Sequence, residues 1–146
     1  FLRDSFYLDF FPEMVDEHGV MRGPAGDGRV GAVARQDVAR SAVAVLRDPS
    51  PHAERTYDMT GPEALSLTDM ARIIGEAQGR EVTYREETVE EAYASRAHYG
   101  APAWQVDAWV STYTAIASGE LDVVSDSVRA LTGRSPMSMA DLLGQG

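Results

Sequence analysis

Short apolar stretches and amphipathic helical patterns alternate along the chain, and this alternation decides the predicted fold class. Residues 1–3, 30–34, 56–60 and 81–85 have the apolar content or the alternation of short strands. Strands that alternate with helices are typical of α/β proteins, whose helices cover a mainly parallel sheet. We therefore predict an α/β fold with a few short strands and a mainly helical second half. The strand at 81–85 either joins the main sheet or pairs with 30–34 in a small second sheet.

Capping residues mark where the predicted helices begin and end. Asp37 is a candidate N-cap, because its carboxylate can accept a hydrogen bond from an unpaired N–H of the first turn. The apolar face of its helix is formed by Val38, Ala39, Ala42, Val43 and Leu46. Gly79 suits the left-handed position that follows a helix. Further helices are predicted to begin near Ser66, Thr88, Pro102, Ser125 and Ser138.

The glycine-rich residues 18–31 contain a match, by spacing alone, to a dinucleotide-binding pattern. Residues 26–31 spell G-x-G-x-x-G, but a phosphate-binding loop needs a buried strand before it and a helix that begins inside it. Residues 22–25 are not an apolar strand, and the next predicted helix start is Asp37. We therefore predict that residues 18–31 form a loop and hairpin rather than a cofactor site.

Aromatic side chains are the main candidates for a ligand pocket. Four rings follow a predicted strand end, where ligands of α/β proteins bind: Phe6, Tyr7, Phe10 and Phe11. They form either a pocket wall or the edge of the core. Trp104 has helical spacing with Trp109 and Tyr113, which favours a place in the core, and a pocket lining is the alternative. His98 lies near a helix end, where it either contacts the last carbonyls or faces a pocket.

The composition narrows the chemistry that these residues can perform. The 146 residues include 23 acidic and 13 basic side chains, and every basic one is arginine. Without lysine or cysteine, the chain has no Tyr-x-x-x-Lys pair, thiolate metal site or disulfide. The net charge of −10 argues against nucleic acid as a partner, and three histidines in separate segments predict no metal site. No membrane span or signal peptide is visible, so a cytoplasmic location is expected.

Several motifs, in their order along the chain, resemble those of one protein family. They are Leu2-Arg3 before Phe6-Tyr7, Gly23-Pro24-Ala25-Gly26-Asp27-Gly28-Arg29, Ala34-Arg35-Gln36-Asp37-Val38-Ala39, Tyr57-Asp58-Met59-Thr60-Gly61 and Leu131-Thr132-Gly133-Arg134-Ser135-Pro136. Each motif is weak by itself, but the ordered series covers nearly the whole chain. It resembles the NmrA-like, atypical short-chain dehydrogenase/reductases. Within that family the likeness is greatest to NADPH:quinone oxidoreductases of the QorB type.

This resemblance implies that residues 1–146 form one region, the C-terminal, substrate-side half of a Rossmann-type NAD(P)-binding protein. The glycine-rich cofactor motif would then belong to an N-terminal half that is absent from this sequence. The cofactor-binding candidates are Asp4, Ser5 and Phe6. The substrate-binding candidates are Phe6, Tyr7, His98, Tyr99 and Trp104. No catalytic residue is assigned, and a proton donor would be Tyr7, His98, water or a residue of the other half.

The resemblance also implies a function for the parent protein, an NAD(P)H-dependent oxidoreductase of which this chain is the substrate-binding portion. The cofactor would be NADP(H) or NAD(H), bound by the parent and not by this fragment alone. The substrate would be a small quinone-like or carbonyl compound, and a homo-oligomer is expected. The isolated fragment is expected to be inactive. The alternative is a non-catalytic, NADP-sensing regulatory protein of the NmrA type.

Overall fold

Three pairs of short strands form the framework of the fold. The computed structural model describes residues 1–144. The strands are β1 (Leu2–Asp4), β2 (Val20–Gly23), β3 (Arg29–Val30), β4 (Tyr57–Met59), β5 (Leu65–Ser66) and β6 (Thr83–Glu86). β1 pairs in parallel with β4, β2 pairs in parallel with β6, and β3 pairs antiparallel with β5. The predicted strands at 1–3, 56–60 and 81–85 are confirmed.

Helices make up most of the remaining chain. The α-helices are α1 (Arg35–Arg47), α2 (Leu67–Gln78), α3 (Val89–Arg96), α4 (Ala103–Ala117), α5 (Ser127–Thr132) and α6 (Met139–Leu143). Short 3-10 helices form at Leu8–Met14, Ser50–His52 and Ala97–Tyr99. Within residues 1–144, no helix has both the length and the apolar content needed to cross a bilayer.

The predicted capping signals are mostly confirmed. The hydroxyls of Ser66, Thr88 and Ser138 each accept a hydrogen bond from the N–H three residues on, and the acidic side chain there bonds back to the cap. Gly79 has a φ of 63°, the left-handed conformation that glycine adopts without strain. Ser125 lies two residues before α5, where its hydroxyl accepts the Ser127 N–H at 3.3 Å and donates to the Asp58 carbonyl.

The hairpin predicted from residues 18–31 is wrong. The Tyr84 hydroxyl donates to the Gly23 carbonyl at 2.6 Å and accepts the Ala25 N–H at 3.1 Å. These bonds turn the chain away at the end of β2, so β2 and β3 do not become neighbours. β6 forms the small second sheet with β2 and not with the predicted strand at 30–34. Of that predicted strand, Val30 belongs to β3 and Val33 forms an isolated bridge with Tyr7.

The beginning of α1 also differs from the prediction. The carboxylate of Asp9 accepts the Arg35 N–H at 2.9 Å, so the first turn is capped from a distant segment rather than by Asp37. Asp37 is buried and accepts the Met137 N–H at 2.7 Å. Because α1 turns Asp37 inward, part of the predicted apolar face is exposed. Ala39, Val43 and Leu46 face outward, and Leu46 is 76% exposed.

Two apolar clusters hold these elements together. The larger lies around α2 and includes Met70, Ile74 and Tyr113. The smaller contains Val33, Met59 and Val128, and Leu2 of β1 and Val38 of α1 pack against it. The smaller cluster lies beneath β1 and β4, and it therefore supports the end of these strands where a ligand is expected.

Candidate functional site

The carboxyl ends of β1 and β4 lie side by side and define the candidate site. Asp4 is in register with Met59, the last residue of β4. The Ser5 N–H donates to the Met59 carbonyl at 3.0 Å, and the chain then forms a parallel bridge between Tyr7 and Val33. Ligands of parallel α/β sheets bind outside this end of the strands. The predicted cofactor-binding segment is therefore held at the end of the sheet where such a ligand would lie.

Phenylalanine rings form a wall beside this segment. The ring centroid of Phe6 lies 5.0 Å from that of Phe11 and 6.1 Å from that of Phe10. Phe11 is buried, Phe6 is half-buried and Phe10 is exposed. The 3-10 helix Leu8–Met14 brings the rings together, because its tight turn places Phe10 and Phe11 close behind Phe6. The cluster therefore runs from the core to the surface, and both predicted roles are represented in it.

Tyr7 supplies a polar group to this wall. Its hydroxyl donates to Asp4 Oδ2 at 3.0 Å, and this hydrogen bond raises the pKa of the Tyr7 phenol above its usual value. The phenol therefore stays protonated at neutral pH. The Tyr7 ring centroid lies 6.0 Å from that of Phe10. The site thus offers a hydrogen-bond donor next to a flat aromatic surface.

An arginine and an aspartate frame the exposed side of the wall, and the sequence did not predict this arrangement. Arg35 Nε lies 3.3 Å from Asp9 Oδ1, and the guanidinium carbon lies 5.7 Å from the ring centroid of Phe10. Asp9 and Arg35 are 26 positions apart in the sequence, so no local pattern indicates the pair. It adds a cation beside the aromatic surface.

The other predicted substrate-binding residues lie on the helical half. The rings of His98 and Tyr99 are 3.9 Å apart, and Tyr99 meets Trp109 edge to face at 5.8 Å. His98 Nδ1 lies 2.9 Å from the Ser95 carbonyl, which is the helix-end contact that was one of its two predicted roles.

The predicted core position of Trp104 is wrong. Its side chain is 71% exposed, while Tyr113 on the same helix is buried. Tyr113 comes nine positions after Trp104, and at about 100° per residue this spacing places them on opposite sides of α4. Trp109 precedes Tyr113 by four residues, lies on nearly the same side, and is half-buried.

A buried ion pair anchors the turn that carries His98 and Tyr99. Arg96, the last residue of α3, donates through Nη1 to Glu87 Oε2 at 3.0 Å and through Nη2 to the Arg22 carbonyl at 3.1 Å. Its guanidinium lies 5.0 Å from the ring centroid of Tyr113. The turn follows Arg96 directly, so this contact fixes it to the end of β2.

The two groups of predicted site residues are not joined in this chain. Among residues 1–144, no ring of the first group packs against a ring of the second. A cavity of about 10 Å³ beside Met70 and Met139, and a broad depression at the end of α2, are lined by none of them. The cavity has room for about one water molecule. In the same part of the chain, no cluster of histidine and acidic side chains is suited to a metal ion.

The glycines of the G-x-G-x-x-G match serve close backbone packing. A Cβ at Gly28 would lie less than 3.0 Å from the Ile116 carbonyl, and a Cβ at Gly31 less than 3.0 Å from the Val123 carbonyl oxygen. The absence of a side chain at these two glycines lets a neighbouring backbone segment pack closely against the loop. No helix begins within residues 26–31, so the loop has no helix N-terminus that would present N–H groups to a phosphate.

Curated proteins match nearly the whole chain. No protein-family model matches it. The uncharacterized oxidoreductase YesF of Bacillus subtilis is 31% identical over 96% of the chain, and the NAD(P)H azoreductase of Xenophilus azovorans is 31% identical over 97%. Quinone oxidoreductase 2 of Escherichia coli is 28% identical over 86%. The chain spans 50%, 50% and 43% of the lengths of these relatives.

Solved structures match to the same extent. The NADPH complex of quinone oxidoreductase QOR2 from Escherichia coli has a TM-score of 0.84 at 25% identity, covering 98% of this chain and 51% of its own. The Citrobacter triphenylmethane reductase with NADP(H) has a TM-score of 0.85 at 27% identity, with the same coverage. This chain corresponds to the C-terminal half of the NmrA-like, quinone-oxidoreductase-type reductases.

The likeness of this chain extends to a protein described by a different activity. A nucleoside-diphosphate-sugar epimerase from Staphylococcus aureus has a TM-score of 0.85 at 27% identity, covering 97% of this chain and 50% of its own. The predicted α/β fold, a few strands with a helical subdomain, is confirmed by these matches. The individual site residues are not tested by them and remain predictions.

Proposed function

We propose that this chain is the substrate-binding portion of an NAD(P)H-dependent oxidoreductase that reduces quinones or similar flat acceptors. The observation that supports this most strongly is the agreement over nearly the whole chain with structures of NADPH-dependent quinone and triphenylmethane reductases. A small-molecule substrate, a homo-oligomeric state and a cytoplasmic location belong to the same proposal. The nicotinamide cofactor, which supplies the hydride, would be held mainly by the half that this chain lacks.

The segment after β1 is proposed to face both cofactor and substrate. Its backbone follows the carboxyl end of a parallel strand, and Asp4, Ser5 and Phe6 would contact the cofactor there. Phe6 and Tyr7 would hold a planar acceptor, since an aromatic wall binds a flat ring by stacking. The Tyr7 phenol would donate a hydrogen bond to the acceptor oxygen in place of Asp4. Hydride transfer then depends mainly on positioning in a shielded site.

His98, Tyr99 and Trp104 are proposed to cover the outer side of the acceptor. They belong to a turn and helix that the buried Arg96 contacts attach to the second sheet. Their exposure in this chain is consistent with a surface that faces a ligand or the other half. The proposal for these three residues rests on the resemblance and on this exposure.

The activity can be tested in a fusion. The half of the Xenophilus azovorans azoreductase that this chain does not match would be joined ahead of Phe1, and NADPH oxidation would be measured with a panel of quinones. The fusion should turn over at least one quinone, and the 146-residue chain alone should turn over none. Tyr7→Phe should lower kcat/KM about tenfold, as expected for one lost hydrogen bond of about 1.4 kcal/mol.

A matched variant controls for the loss of a phenol. Tyr93→Phe removes a hydroxyl that bonds to Asp107 on the helical surface and should leave kcat/KM unchanged. A fusion that binds NADPH but oxidises it with none of the quinones would contradict the enzyme proposal. That result would instead support the alternative, a non-catalytic sensor of NADP.

A further inference from the structure

The carboxylate of Asp4 is a negative charge without an ionic partner at the end of β1. It accepts the Tyr7 hydroxyl at 3.0 Å, and because the phenol is neutral, this hydrogen bond leaves the charge uncompensated. The adjacent Arg3 pairs with Asp58 instead. Within residues 1–144, no cationic nitrogen lies within 4.0 Å of an Asp4 oxygen. The candidate site therefore contains a free carboxylate.

The aromatic wall beside Asp4 adds no net charge. Arg35, next to Phe10, pairs with Asp9, so their two charges cancel and the charge of Asp4 is left over. The faces of aromatic rings attract cations, and this attraction grows when water is excluded. The rings of Tyr7 and Phe10, with centroids 6.0 Å apart, thus offer a surface for a cation next to a carboxylate.

The same residues are a poor source of a proton. A quinone that accepts a hydride becomes an anion and must then take up a proton. The hydrogen bond to Asp4 raises the pKa of the Tyr7 phenol, and loss of the phenol proton would leave two negative oxygens 3.0 Å apart. His98, another candidate donor, belongs to the separate group of rings on the helical half. The wall therefore suits an acceptor that needs no proton.

We propose, building on the function given above, that this site prefers flat organic cations as acceptors, such as N-alkylated heteroaromatic rings, and that Asp4 is the residue that selects them. An electron-poor ring carbon of the acceptor takes a hydride from the reduced nicotinamide. One C–H bond breaks and one forms, and both electrons of the broken bond move with the hydrogen. The positive charge passes from the acceptor to the nicotinamide, and no proton is taken up.

The two classes of acceptor make different demands on Tyr7 and Asp4. To bond a quinone oxygen, the Tyr7 hydroxyl must leave Asp4, and the carboxylate then lies near an oxygen that becomes negative during reduction. A cation leaves the hydrogen bond between Tyr7 and Asp4 in place and gains from the carboxylate charge. The net charge of −10 also draws cations toward the chain over a longer range.

Binding is tested in the azoreductase fusion described above, without nucleotide, so that no turnover occurs. The probe is N-methylacridinium, followed by its fluorescence. Asp4→Asn removes the charge, keeps an oxygen that can accept the Tyr7 hydroxyl, and changes an exposed residue, so the fold is retained. It should raise the Kd of the probe at least about fivefold, because an attraction between opposite charges is lost.

A matched control separates the local charge from the net charge. Asp107 on the helical surface also accepts a phenol, that of Tyr93, at the same distance of 3.0 Å. Asp107→Asn changes the net charge of the chain as much as Asp4→Asn does. It should change the Kd of N-methylacridinium by less than about twofold, since a distant exposed charge is screened by salt.

Turnover with NADPH then compares the acceptor classes, after subtraction of the rate without protein. With N-methylacridinium, kcat/KM should fall about tenfold in Asp4→Asn and stay within about twofold in Tyr7→Phe. With neutral naphthoquinone the order should be reversed, because the phenol and not the carboxylate contacts the acceptor. An unchanged quinone value in Asp4→Asn would also show that the cofactor is still held.

Equal effects of Asp4→Asn on the cation and on the neutral quinone would overturn the proposal. So would a fusion that reduces naphthoquinone but does not bind N-methylacridinium, and that result would leave the proposed function intact. A fusion that binds the cation in a manner dependent on Asp4, but oxidises NADPH with no acceptor, would count against the proposed function alone.

Discussion

Replacing Gly23 by alanine tests whether the end of β2 positions α4 through direct contact with Tyr113. A Cβ at this position would lie less than 3.0 Å from three carbons of the Tyr113 ring, closer than real Cβ contacts. The ring has little freedom to move, because the Arg96 guanidinium lies 5.0 Å from its centroid and the Tyr113 hydroxyl faces Met14 Sδ at 3.7 Å. Gly23 does not have a positive φ, so alanine adds a steric conflict without backbone strain.

The size of the effect follows from this packing. Inserting a methyl group into a well-packed core costs about 1–3 kcal/mol, and the three ring carbons closer than 3.0 Å place Gly23→Ala near 3 kcal/mol. For a chain of this length the Tm would fall by about 6–12 °C. The assay is urea unfolding at 25 °C, followed by far-ultraviolet circular dichroism. Gly79→Ala is the control, since no atom lies within 4 Å of its Cβ position and its cost of about 1–2 kcal/mol comes from the left-handed backbone alone.

A double variant decides whether the conflict is with the ring. If Tyr113 is the obstacle, Gly23→Ala should cost less in a Tyr113→Leu background, and the two losses should fall short of additivity by at least about 1 kcal/mol. Additive losses would refute the reasoning. So would a Gly23→Ala chain whose free energy of unfolding equals that of the parent chain.

Two further predictions concern charged groups. Arg96→Met should lower the free energy of unfolding by about 3–5 kcal/mol, because the Glu87 carboxylate stays buried without its partner. Adding Glu87→Leu to this variant should restore most of the lost stability. Urea titrations that show equal losses for the single and the double variant would count against this reasoning. The pKa of Asp69 is lowered, first by the hydrogen bond from the Ser66 hydroxyl, so its stabilisation is present above the usual value of 3.8 and is lost as the pH falls through the lowered native pKa. Asp69→Asn should therefore flatten the acid side of the Tm-against-pH curve. A curve as steep as that of the parent chain would contradict this reasoning.

Features that depend on near neighbours were predictable from the sequence. The capping boxes at Ser66 and Thr88 use partners three residues apart, and such pairs are visible in any sequence. The strand pairings depend on distant partners. The end of β2 is decided by the Tyr84 hydroxyl, 61 residues from Gly23. Asp37 looked like a cap, but its partner is the N–H of Met137, 100 residues away.

The candidate site shows the same division. The position of the first strand was predictable, because it depends on local sequence. The segment from Asp4 to Tyr7 was therefore correctly expected to follow the carboxyl end of that strand. The helical spacing of Trp104 with Trp109 and Tyr113 favoured a place in the core, although the angles around α4 separate Trp104 from Tyr113. The pairing of Arg35 with Asp9 beside Phe10 depends on how the 3-10 helix packs against α1. The spacing of apolar and polar residues in the sequence therefore does not indicate this pairing.

The glycines at 28 and 31 also limit how this half can be exchanged between relatives. Each accommodates a backbone carbonyl of the segment from Ile116 to Val123, and any side chain at either position would push that segment away. The loop and the segment that follows α4 must therefore come from the same parent protein, although about 90 residues lie between them in sequence. A chimera that takes α4 from a relative must take the matching loop with it. Recombination points placed between the two would separate surfaces that fit only each other.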